Sequence, residues 1–79
     1  MTNLDPLPVS GYTTQPQSAV DLVNSNKELE EIVLRRLDAL AQQGVDGRWL
    51  AIGRTHIEEA FMAINRSIFK PQRVKLPGE

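Results

Sequence analysis

The chain has 79 residues, no cysteine and one histidine, and nine lysines and arginines against ten aspartates and glutamates give a net charge of −1. These bounds exclude disulfide staples, thiolate zinc sites and multi-histidine metal sites within a single chain. They also argue against a protein that lives on long nucleic acid, where a basic footprint dominates affinity, yet one or two placed cations suffice for a phosphate group.

Residues 1–16 read as an arm. Pro6, Pro8, Gly11 and Pro16 stand among small polar residues, a composition that favours extended and turn structure. The opening Met1-Thr-Asn-Leu-Asp-Pro lacks the basic segment and apolar core of a signal peptide. No apolar run in the chain approaches the roughly 20 residues of a membrane span, so a cytoplasmic protein is the expectation.

A first helix is expected to open between Pro16 and Ser18, because proline suits a first helical turn. Asn24-Ser25-Asn26 then looks like an interruption, and Ser25 with Glu28 three residues on has the spacing of a capping box. The expectation is a short N-terminal helix to about Asn24, a break or kink, and a longer helix from about Asn26 to Gln43. In the longer helix Leu29, Ile32, Val33, Leu37 and Leu40 form the apolar stripe. Gly44 is a natural helix stop and Asp46 a natural N-cap. With so short a link the two long helices must run antiparallel, as an αα-hairpin.

The last helix is predicted from about Arg48 to Lys70, about six turns, and Pro71 ends it. Leu50, Ile57, Ala60, Ile64 and Ile68 follow a core rhythm, whereas Trp49, Ile52, Phe61, Met62 and Phe69 fall outside that stripe. A helix apolar on more than one side needs cover on more than one side. A two-helix hairpin without staples cannot supply it, so other copies of the chain are the expected cover. The reading is therefore an all-α chain: an arm over 1–16, a helical hairpin domain over 17–70 and a tail over 71–79, assembled as a compact homo-oligomer.

No catalytic constellation stands out, and no enzyme activity is expected. Glu58 and Glu59 are neighbours, so on a helix they point about 100° apart and do not face each other as an acid/base pair. Thr55, Glu59, Met62 and Arg66 share one helical face, with Arg54, Glu58 and Asn65 beside it. This is either a solvated face with Glu–Arg pairs worth about a few tenths of a kcal/mol, or a place where Arg66, with Thr55 or Asn65, meets an anion between subunits. Tyr12 and Lys27 have two readings as well. Alone they are a packing residue and a solvated charge; together they offer an aromatic face for a base and an ammonium for a phosphate.

Three segments, taken together, closely resemble the anti-CBASS protein 2 family of bacteriophages. They are Gly11-Tyr12, then Val23-Asn24-x-x-Lys27, then Arg48-Trp-Leu-Ala-Ile-Gly-Arg-Thr-His-Ile-Glu-x-x-Phe-Met-Ala-x-Asn-Arg-x-x-Phe-x-Pro71. The resemblance covers residues 11 to 73 and is densest from Arg48 to Pro71. It implies a helical-hairpin protein that forms a homohexamer and holds cyclic oligonucleotide signals away from the CBASS immune effector, in the cytoplasm of the infected bacterium. By motif position it implies that Tyr12 and Lys27 contact cyclic dinucleotides such as cyclic GMP-AMP. Some members also hold cyclic trinucleotides with an arginine of the last helix, for which Arg66 is the match, with Thr55 or Asn65 as candidate neighbours. The threonine associated with that second site is Leu29 here. No cofactor or metal is implied. A small helical phage adaptor that binds a host protein is the alternative drawn from the exposed apolar residues alone.

Overall fold

The computed structural model describes residues 14–79. They form two helices, α1 over Gln17–Ala41 and α2 over Gly47–Phe69, joined by a tight turn. Three contacts set the direction of packing. Gln15 Nε2 donates to the Phe69 carbonyl at 2.9 Å, Asn26 Nδ2 to Asn65 Oδ1 at 3.0 Å, and Arg54 reaches Asp38 at 2.6 Å. As the numbers rise on α1 they fall on α2, so the expected antiparallel hairpin is present.

The helix α1 is continuous through Asn24-Ser25-Asn26, and this corrects the expectation of a short N-terminal helix followed by a break. The capping-box spacing at Ser25 is not used as a cap. The three polar residues sit in mid-helix, where Asn26 turns inward and finds its partner on α2. Their intrinsic preference for caps is weak beside a cross-helix bond and the burial of Val23, which is only 4% exposed. The helix opens with Pro16 at the N-cap in extended conformation and no side-chain cap, and Ala19 is the other buried core residue.

The inward face of α1 runs Ala19, Val23, Asn26, Glu30, Val33, Leu37 and Leu40, all buried or half-buried. The spacing alternates four and three, the repeat of a coiled-coil seam. Facing it on α2 are the half-buried Leu50, Arg54, Ile57, Phe61, Asn65 and Ile68. Leu29 and Ile32, which the sequence stripe placed inward, lie outside at 52% and 66% exposure. Phe61 moves the other way, from the second apolar side to the seam. Ala60 and Ile64 are exposed, so the expected core face of α2 is rotated toward Phe61.

The turn follows its sequence signals. Gly44 takes a φ of 73°, a left-handed conformation that glycine adopts without a Cβ penalty. Asp46 Oδ1 accepts the backbone N–H groups of Arg48 at 2.9 Å and Trp49 at 3.1 Å, the side-chain cap that opens α2. The helix closes at Phe69. Lys70 is left-handed at φ 50°, and its N–H donates to the Arg66 carbonyl at 2.8 Å. Pro71 follows and cannot continue the ladder.

In the described residues, α2 buries no residue fully, and Trp49 and Met62 remain 64% and 66% exposed. One hairpin face per helix is thus covered, and the rest of a strongly apolar pattern is open.

Candidate functional site

The two helices and the start of the tail line an open cavity of about 550 Å³ at the end of the hairpin where α2 stops. That volume lies in the range of small-molecule sites. Its apolar wall is Val23 from α1, Met62 and Phe69 from α2, and Pro71 after it. Its polar lining is Lys27 and Glu30 from α1, and Glu58, Asn65 and Arg66 from α2.

Helical spacing explains the convergence. Val23, Lys27 and Glu30 follow steps of four and three, so they stack on one side of α1. Glu58, Met62, Asn65 and Phe69 do the same on α2, with steps of four, three and four. The antiparallel register then lays one row over the other. The Asn26–Asn65 bond locks this crossing and leaves the other side of the Asn65 amide for the cavity.

The charges of the lining are uncommitted. Ion pairs elsewhere among the described residues are Glu31–Arg35 at 3.0 Å and Asp38–Arg54 at 2.6 Å, and His56 lies 4.0 Å from Glu59. Among the described residues Lys27, Arg66, Glu30 and Glu58 take part in no side-chain hydrogen bond or ion pair. Two cations and two carboxylates therefore line one cavity without neutralising one another. Lys27 and Arg66 are exposed, as solvated charges are, and both line the cavity.

The positions singled out in the sequence separate into three groups. Lys27, Asn65 and Arg66 meet around the cavity. Thr55 does not join them: it is exposed, its hydroxyl donates to the Ala51 carbonyl at 3.1 Å, and it lies about 16 Å along α2 from Arg66. Tyr12 lies outside the described residues. Sequence reasoning missed Val23, Asn26, Glu30, Phe69 and Pro71 as parts of the site. Asn26 and Glu30 had a signal, since they are the two polar residues of the four-three repeat on α1. That repeat appears only when it is started from Ala19 rather than Leu29.

No group of His, Cys, Asp or Glu among the described residues is arranged to hold a metal ion. No helix there is long and apolar enough to cross a membrane.

Comparison with known proteins gives one finding. The family model described as Acb2/Tad1, hairpin domain, matches residues 5–69. No curated relative and no solved structure matches the chain. The matched span takes in both helices, the turn between them and every cavity-lining residue except Pro71. The chain therefore belongs to the Acb2/Tad1 hairpin-domain family, in agreement with the resemblance carried by its motifs.

Proposed function

We propose that the protein binds and sequesters cyclic oligonucleotide signals without cleaving them, and so blocks activation of the CBASS effector. Its ligands are cyclic dinucleotides such as cyclic GMP-AMP, and also cyclic trinucleotides. It acts in the cytoplasm of the infected bacterial host. Family membership supports the class of function. The observation that carries the reading to this chain is the cavity in which Lys27 and Arg66, unpaired among the described residues, stand beside an apolar wall. An ammonium and a guanidinium without partners suit phosphate oxygens, and the apolar wall suits a base. Tyr12 supplies the aromatic face on which a base stacks.

Sequestration requires binding and release, with no bond broken. The site residues need only complement phosphates and bases. Lys27 meets a phosphate as a mobile point charge, whereas Arg66 offers a planar fork of donors. In this proposal the copies assemble as a homohexamer, and the exposed apolar residues Leu29, Ile32, Trp49 and Met62 supply the contacts between them. A symmetric interface also suits a nearly symmetric ring, because one residue from each of two protomers reads both halves.

The test is to saturate the protein with cyclic GMP-AMP, remove free ligand, denature the complex by heat and analyse what is released. Intact cyclic dinucleotide in the bound amount supports sequestration; linear dinucleotide or mononucleotides would make the protein a hydrolase. A monomer that ignores nucleotides and retains one host protein would instead favour the adaptor reading of the same exposed apolar residues.

A further inference from the structure

The cavity is bipolar along its length. The contact of Asn26 with Asn65 fixes the register, so that Arg66 lies beside residue 25 of α1 and Glu58 beside residue 33. Arg66 and Lys27 therefore mark one end and Glu30 and Glu58 the other, about 8 Å apart at the rise of an α-helix. A site built only for phosphate has no use for the acidic end, since carboxylates repel an anion. Glu30 carries a second peculiarity. It is half-buried at a seam position where the four-three repeat calls for an apolar side chain, and no hydrogen bond or ion pair among the described residues engages it. A seam carboxylate with no donor from the hairpin is open to a ligand that supplies one.

We infer that the acidic end reads the base of the bound nucleotide and favours guanine over adenine. The inference rests on the sequestration reading above and deepens it. A nucleotide is itself bipolar: it carries a phosphate at one end and a base edge at the other. A carboxylate only accepts hydrogen bonds. The Watson–Crick edge of guanine presents N1–H and the N2 amino group side by side, two donors that one carboxylate accepts together. The same edge of adenine presents one amino group beside the N1 lone pair, which repels the second carboxylate oxygen. With the phosphate held at Lys27, Glu30 lies one helical turn further along α1, and Glu58 lines the same end of the cavity from α2.

Cyclic di-GMP and cyclic di-AMP have the same ring and the same charge, so they isolate the base. Calorimetric titration of the full chain with each is expected to show cyclic di-GMP bound about tenfold more tightly, the size expected of one good bidentate contact. Glu30→Gln, and separately Glu58→Gln, are measured beside it, with particle mass and helicity checked. The charge removal is expected to abolish most of the guanine preference by weakening cyclic di-GMP, without weakening cyclic di-AMP. Equal affinity for the two ligands would overturn the inference while leaving sequestration intact. A guanine preference that survives in both Gln variants would overturn the assignment to Glu30 and Glu58. Binding of neither ligand by the folded chain would overturn the inference and the sequestration reading together.

Discussion

The Asn26–Asn65 bond predicts a specific pattern of stability changes. Among the described residues it is the one side-chain pair that joins the mid-segment of α1, where the sequence suggested a break, to the cavity on α2. Asn26 Nδ2 donates to Asn65 Oδ1 at 3.0 Å between two half-buried side chains. Replacing Asn65 with Leu leaves the Asn26 amide facing an apolar group. The cost of a buried polar group stripped of its partner is about 1–3 kcal/mol. Both residues keep some exposure, so about 1 kcal/mol is the expected loss. Asn26→Leu should cost a similar amount. The double replacement should be nearly neutral, because two apolar side chains in a four-three seam satisfy each other. The coupling energy of the cycle is thus expected at about 1–2 kcal/mol in favour of the native pair or its apolar substitute over either half. Thermal unfolding measures it, at one fixed protein concentration because assembly makes the midpoint concentration-dependent. A loss of about 1 kcal/mol appears as roughly 4–8 °C for a domain of this size. Additive losses in the double variant would refute the pairing, and with it the register that assembles the cavity.

Further outcomes follow from the same geometry and, for Tyr12, from the proposed function. Asp46→Ala removes the cap that accepts the backbone N–H groups of Arg48 and Trp49 and should cost about 1 kcal/mol, read as a lower unfolding midpoint with unchanged ligand affinity. Lys70→Gly relieves a left-handed conformation at a residue with a Cβ and should raise the midpoint, by about 0.5–1 kcal/mol after the added freedom of the unfolded chain. Lys27→Ala should weaken cyclic dinucleotide binding without changing particle mass, and Tyr12→Ala should remove stacking worth about 1–3 kcal/mol per base, both read by calorimetry. Arg66→Ala should weaken cyclic dinucleotides and cyclic trinucleotides alike, because Arg66 lines the same cavity as Lys27; an unchanged dinucleotide affinity would place Arg66 in a separate site.

Much of this fold is written in local signals. Gly44, Asp46 and Pro71 each act by local chemistry that needs no tertiary context, and all three mark the ends of helices as their residue types predict. The continuity of α1 was harder to read. Asn24-Ser25-Asn26 has the composition of a break, and only the partner across the hairpin, 39 residues later, decides that Asn26 belongs inside a helix. Packing also decided the seam. Leu29 and Ile32 are good stripe residues by spacing, yet the seam runs one residue later, through Glu30 and Val33, in phase with the buried Ala19 and Val23. A polar residue in a core repeat reads as an error in the repeat until a cavity explains it. That is why Lys27 and Arg66 were visible as candidate anion contacts, and Glu30 and Asn26 were not. Thr55 shows the converse limit. It shares a helical face with Arg66, but three turns of helix separate the two.

The apolar excess of α2 connects the fold to the function. Trp49 is shielded on one side by its neighbour, whose guanidinium lies 5.8 Å from the ring centroid, and is otherwise open. Met62 belongs both to the exposed surface and to the cavity wall. A second copy that covers Met62 would therefore also close part of the cavity, which makes assembly and ligand binding thermodynamically linked.

The central claim is that this hairpin holds a cyclic oligonucleotide between its copies. Its most direct test is calorimetric titration with cyclic GMP-AMP, with particle mass recorded on the same sample. The account predicts tight binding at about one dinucleotide per two chains, on a particle of about six chains. A well-folded oligomer that releases no heat with cyclic GMP-AMP, nor with a panel of other cyclic di- and trinucleotides, would contradict it.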